Sequence, residues 1–443
     1  MNSKRRGKPK ANVGLLRRHR DFRLLWCGET AGKFGASVTA VAMPLIAVST
    51  LHAAPLQVGL LSASAWLPWL VIGLPVGVWV DRMRRRPVMV AAAAVSFVLF
   101  ALVPLAQRTG HLSIGLLMAI ALLTGTAAVF FQTAYSAYLP SLLDPADQPE
   151  GNAKLHGSAS AAQIGGLGSA GVIGQGVGVV NAMFANAATF LLSLLCLVSI
   201  RHREPRPPRP ADRRALLSEV GDGLRLVAGD PWLRTLTLFG AASNLALMGY
   251  QSIQVVFLVH TVGLAPGAVG GLIAATSAGG IAGALLARRT SSRIGTARAT
   301  LLFELGFAMF ALLIPATFAG AGLVLFVAGG WCVAAGVVAG NVIKASFQQR
   351  YCPPELLGRL TASTAFLNFG TIPLGALLGG WLGTVYDLRT AMWITTAGVP
   401  LAALILLFSP IRRSRDLPTS PASLGGLRGP SAVPRPDLSP QSR

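Results

Sequence analysis

The chain has 443 residues, 53% of them hydrophobic and only 12% charged, with a formal net charge of +22. Soluble domains carry about 25% charged residues, so the composition argues against a soluble enzyme and for a membrane protein. The basic residues flank long apolar runs rather than clustering with aromatics on a polar face, which excludes a nucleic-acid binder.

A membrane helix needs about 20 mostly apolar residues. In chain order that length picks out twelve segments. The first half carries 24–50, 57–80, 88–106, 113–138, 157–178 and 181–200, and the second carries 233–259, 266–287, 299–318, 321–345, 359–383 and 390–410. The first apolar run is too long for the ~7–15-residue core of a cleaved signal and reads as a retained helix. The fifth and sixth segments are separated only by a break near Val180–Asn181.

Of the 38 Lys and Arg residues, 34 fall in the two tails or in alternate loops on one side, counting Arg234 and Arg359 at the segment edges. This asymmetry predicts an even number of crossings with both termini cytoplasmic. The predicted organisation is a basic tail at 1–23, a six-helix half at 24–200, a cytoplasmic linker at 201–232, a second half at 233–410 and a tail at 411–443. The tail is rich in Pro, Ser and Gly and reads as disordered. The linker carries Pro205, Pro207, Pro208 and Pro210. Three landmarks recur about 207–209 residues apart: Asp21 with Asp230, the loop Asp81–Arg86 with Arg288–Arg293, and Pro145 with Pro353. They point to a duplicated six-helix unit, and transporters built from repeats place the substrate near the midplane.

Cys27, Cys196, Cys332 and Cys352 show no C-x-x-C spacing, so neither a disulfide framework nor a zinc site is expected. There is no G-x-x-x-x-G-K-[ST] signature for ATP, and no cofactor or metal is expected. The acids Asp144, Asp147 and Glu150 stand without a nucleophile–base partner, so the chain does not read as an enzyme.

Four intramembrane charges ask for an explanation, since each costs about 2.5–3.5 kcal/mol at a helix centre. Lys344 lies near a helix end and can snorkel to the interface. Glu304 is about a turn inside its segment, also near an interface. Glu29 and Lys33 are spaced i, i+4 with the acid first, the favourable order. They read either as a self-neutralising pair at the rim or as the coupling site. With Glu304 they form the coupling candidates.

Polar residues within segments suggest the substrate cavity: Asn244 and Gln251 share a helix face, with Tyr250, Gln254 and Met248 nearby. Gln132, Asn341 and Asn368 complete the candidates. A large apolar cavity with a few amides suits a bulky hydrophobic ligand; interhelical hydrogen bonding is the competing reading. The glycines at 375, 379 and 383, at 174 and 178, and at 279 and 283 each share a face and allow close helix packing.

The stretch Gly77-Val-Trp-Val-Asp81-Arg82-Met-Arg84-Arg85-Arg86-Pro87 resembles the signature loop of the major facilitator superfamily. Asp21-Phe-Arg-Leu-Leu-Trp26, Pro55-Leu-Gln-Val-Gly59, Tyr138-Leu-Pro140, Asn152-Ala-Lys-Leu155 and Glu355-Leu-Leu-Gly-Arg359 resemble the bacterial branch containing macrolide and enterobactin exporters. The resemblance covers about residues 20–412. It implies an all-α fold of twelve transmembrane helices in two pseudo-symmetric halves, in the inner membrane of a bacterial cell. It also implies a monomeric exporter of a hydrophobic drug or secondary metabolite, working by alternating access and drawing on protons or on the substrate's own gradient. A facilitator or importer of the same fold, or a non-transporting receptor or scaffold, would share most of these features.

By the same resemblance Gly77, Asp81, Arg82, Arg85 and Arg86 form a gating latch, with Asp81 facing the start of helix eleven at about Leu357–Leu360. A carboxylate there meets free N–H groups and the positive end of the helix; the arginines also serve as topology anchors. The sequence departs from the branch at Arg84, which replaces a glycine, and at Gln132, His156, Ala159 and Asn186, which replace charged residues. Gly166 is followed by Leu167 where antiporters tend to have proline. These departures leave Glu29 as the main acid of the first half.

Overall fold

The computed structural model describes residues 15–144, 147–202, 204, 221, 224–352 and 354–419. Most of the basic amino-terminal tail, most of the linker, Pro145, Pro353 and the end of the carboxyl tail lie outside the described residues. The described chain is helical throughout. The amino-terminal helices are α1 (Arg20–Ser49), α2 (Pro55–Val71), α3 (Gly73–Asp81), α4 (Arg85–Arg108), α5 (Ile114–Leu142), α6 (Gln148–Val177) and α7 (Ala182–Ser199). The carboxyl-terminal helices are α8 (Pro231–Val256), α9 (Pro266–Ser277), α10 (Gly279–Ile294), α11 (Thr296–Leu301), α12 (Leu323–Tyr351), α13 (Pro354–Val385) and α14 (Leu388–Leu407).

Among the described residues, ten helical runs are long and apolar enough to cross a membrane. The second and fifth predicted segments are the two left out, for different reasons. The second is split at Ile72 into α2 and α3. Pro75 has no N–H to give to the carbonyl of residue 71, so the helix must bend there. The fifth, Gln148–Val177, is 30 residues long, but Gln163, Gln175 and its many Ser and Gly residues leave even its carboxyl-terminal part weakly apolar. It ends at Gly178, whose φ of 84° is readily available to glycine alone.

Helix starts follow local chemistry. Ser113 accepts the Leu116 N–H at 3.3 Å, Asp230 accepts those of Trp232 and Leu233 at 2.9 and 3.0 Å, and Asp387 accepts that of Thr390 at 2.9 Å. Each satisfies donors that the first helical turn leaves open. Hydrogen bonds from the Thr390 side chain and backbone hold the exposed Asp387 carboxyl below its usual pKa.

The packing repeats between the two sets of helices. Helix α1 lies against α6 and α7 as α8 lies against α13 and α14; α2 lies against α5 as α9 and α10 lie against α12. The sets then meet through α2 with α13 and α6 with α9. Glycines make these approaches possible. A Cβ at Gly59 would sit 2.7 Å from the Ala376 carbonyl oxygen and 2.9 Å from the Gly380 Cα. Gly375 and Gly379 meet the backbone of α8, and Gly279 and Gly283 that of α12, so these glycines serve interhelical contact. At the end of the bundle opposite the start of α1, the Leu56 N–H donates to Thr384 Oγ1 at 3.2 Å, tying α2 to α13. Farther along, Trp66 and Trp69 pack on Phe369 with ring centroids 6.3 and 5.5 Å away. Beyond the bend, α3 turns to its own set, where Trp79 stacks on Phe130 of α5.

Candidate functional site

Two chambers open inside the bundle. The central one, about 950 Å³, is walled by both sets of helices: Thr39, Met43 and Trp66 on one side, Tyr250, Ile273 and Val337 on the other. Its polar lining includes the amides Gln163, Gln251 and Gln254, and among the described residues that line it none is charged. The second chamber, about 790 Å³, lies among α1, α5 and α6 and is lined by Glu29, Lys33, Gln132, Tyr135 and His156, among others. Ala40, Ser160, Gln163 and Leu167 line both, so the two chambers adjoin.

Glu29 and Lys33 are paired at 3.5 Å, and the Lys33 Nζ also donates to Gln132 Oε1 at 3.1 Å. The structure therefore joins two coupling candidates with a cavity candidate that the sequence placed 99 residues away. The i, i+4 spacing brings the charges together, and Gln132 from α5 supplies a second acceptor for the ammonium. Glu29 is buried, with a side chain 6% exposed against 43% for Lys33.

Glu304, the third coupling candidate, is enclosed by the protein itself. It occupies a π-turn at Leu302–Gly306 that follows α11, is buried and pairs with Lys344 of α12 at 3.1 Å. The Lys344 ammonium also lies 5.0 Å from the Phe239 ring centroid. The π-turn rotates the carboxylate toward α12, and Gly340 leaves it room, since a Cβ there would overlap the carboxylate. Glu304 and Lys344 line neither chamber.

The cavity candidates divide. Tyr250, Gln251 and Gln254 line the central chamber and Gln132 the side chamber. Asn244, Asn341 and Asn368 line neither. The Asn244 amide donates to the Asn368 carbonyl at 3.1 Å, joining α8 to α13. Asn341 is exposed on α12.

At the latch loop, the Asp81 side chain and those at 357–359 lie outside the described residues. Arg86 is committed within its own set: its Nε and Nη2 donate to the carbonyls of Leu197 and Val198 at 3.0 and 2.6 Å, capping the end of α7. Arg85 lies 4.0 Å from Glu204. Arg82 is exposed, and a Cβ at Gly77 would meet nothing within 4 Å.

Sequence reasoning passed over Gln163 and Glu204. It also used Asp230 only as a landmark. Besides capping α8, that carboxylate accepts the Tyr351 hydroxyl at 2.5 Å, binding the start of α8 to the end of α12. Gln163, an amide within an apolar run, could have been found by the criterion that picked out Gln251.

A family profile described as transmembrane secretion effector matches residues 16–424. The multidrug efflux pump Tap of Mycolicibacterium fortuitum is 28% identical over 412 residues, covering 90% of this chain and 97% of that pump. The enterobactin exporter EntS of Escherichia coli is 26% identical over 428 residues, covering 92% and 96%. Among solved structures, the nucleoside transporter NupG superposes with a TM-score of 0.67 at 13% identity, covering 89% of this chain and 98% of that one. A bacterial homologue of the iron transporter ferroportin, in an inward-facing state, gives a TM-score of 0.70 at 15% identity, covering 89% and 99%. These two likenesses show the fold. With a profile match that spans nearly the whole chain, this protein belongs to the transmembrane secretion effector family of the major facilitator superfamily, a multi-pass membrane transporter rather than an enzyme.

Proposed function

We propose that the protein exports a bulky, mostly apolar compound, a drug or secondary metabolite, across the bacterial inner membrane by alternating access. The observation that carries this reading is the central chamber of about 950 Å³, which both sets of helices wall and whose described lining is uncharged. Such a space takes an apolar body, and its few amides orient it. On this reading the chain crosses the membrane twelve times as two six-helix halves, 24–200 and 233–410, acts as a monomer and keeps both termini in the cytoplasm. The α2–α13 contacts then lie at the outer face, and the state described is closed outward. Substrate enters from the inside, and rocking of the halves exchanges these contacts for others at the cytoplasmic end, where Asp81 and its arginines form the latch.

Coupling runs through Glu29, which borders the side chamber, and not through Glu304, which is enclosed. Relatives named as exporters of drugs and of enterobactin support the outward direction. Accumulation of fluorescent apolar dyes in cells with and without the protein, each with and without an uncoupler, tests the proposal. Lower accumulation that the uncoupler restores is expected. Equal accumulation across a broad dye panel would defeat it.

A further inference from the structure

Among the described residues, each set of helices pairs a buried acid with a lysine, and the two pairs differ in what they show the cavity. Glu304 and Lys344 are both enclosed, with side chains 4% and 17% exposed. In the other pair the carboxylate is 6% exposed and the ammonium 43%. That pair turns its positive end into the side chamber. An ammonium has three N–H donors. Glu29 and Gln132 are the acceptors recorded for Lys33 among the described residues, which leaves a third donor on the chamber side. Gln148, Asn152 and His156 add further donor-bearing groups to the wall, and Glu29 is the one acid among the described lining residues. The adjoining central chamber is uncharged and largely apolar along its described lining.

We propose that the side chamber is a subsite for the anionic end of an amphiphile, a sulfonate, carboxylate or phosphate, whose apolar body lies in the central chamber. This rests on the reading of the central chamber as the export cavity. The anion takes the third Lys33 donor while Glu29 stays paired, so the anchor leaves the coupling group in place. A cationic end would face the ammonium and is disfavoured, which makes the subsite a selectivity element. Compounds without a charge bind through the apolar body alone.

The test uses the full chain in nanodiscs of zwitterionic phosphatidylcholine, with the empty-disc signal subtracted. Two fluorescent probes share the same rings, anilinonaphthalene sulfonate and the uncharged N-phenylnaphthylamine. Wild type should hold the sulfonate more tightly. Lys33→Gln should weaken the sulfonate by about tenfold or more, as loss of a charge-assisted hydrogen bond predicts, and the amine by less than about twofold. The amine thus reports that the variant is folded. Lys33→Arg and Glu29→Gln should keep the preference for the sulfonate. Equal effects of Lys33→Gln on both probes, or none on the sulfonate, would overturn the subsite while amine binding leaves the central cavity standing. Failure of wild type to bind either probe would overturn both readings. Displacement of the sulfonate by phosphatidylglycerol added to the discs would assign the subsite to lipid and overturn its role in substrate selection.

Discussion

Single residues divide the buried charges by what they touch. Glu29 and Glu304 each pair with a lysine, yet only Glu29 borders a chamber. Breaking a buried pair by removing one charge costs about 3–5 kcal/mol, so a stability effect must be separated from a coupling effect. Glu29→Gln should abolish uphill efflux while N-phenylnaphthylamine binding stays within about twofold. Uphill efflux at the wild-type rate from this variant would move the coupling elsewhere. At the proposed latch, Arg85 lies beside Glu204 of the linker and Arg86 caps α7, so neither reaches across to the other half, and the acid is the member to test. Asp81→Asn, tested by transport beside membrane insertion, should lower transport several-fold with insertion unchanged. Full transport would show that the latch does not depend on charge. Spacing alone was enough to pair Glu29 with Lys33. It could not pair Glu304 with Lys344, 40 residues apart, because that contact depends on the rotation of a π-turn against a neighbouring helix.

Helices show why glycine recurs in this chain. Burial of apolar surface does not drive helices together inside a bilayer, so close backbone approach has to. Gly59 and Gly380 supply it between α2 and α13, and Leu56 and Thr384 close the same seam. If rocking opens this seam, tying it shut must stop the cycle. Cysteines at positions 56 and 384, joined by a short bifunctional reagent, should cross-link and halt transport, and cleaving the linker should restore it. Transport that continues in the cross-linked protein would rule out opening at this seam. The glycine faces were legible as i, i+4 repeats, but their partners were not, because a sequence period fixes a face and leaves its neighbour open.

Over the whole molecule, the repeat of packing between the two sets of helices agrees with the landmarks Asp21 and Asp230, which precede α1's apolar run and α8. On the proposed topology, the strong bias of basic residues to one side puts both termini and the linker in the cytoplasm. A cysteine introduced at position 208 should therefore react with a membrane-impermeant maleimide only after the cells are opened. Labelling in intact cells would invert or break the twelve-crossing arrangement. What the sequence by itself determined is the part a membrane reads along one dimension: apolar length, the side on which the arginines fall, and the family signature loop. Those properties add up residue by residue and need no partner. Only the tertiary structure decided which polar groups face a cavity and which face another helix. It gave Gln251 and Gln254 to the central chamber, Asn244 to α13, Glu29 to the side chamber and Glu304 to an enclosed pair. The reason is geometric: each residue turns a helix by about 100°, so a bend at Ile72 or a π-turn at Glu304 redirects every side chain that follows.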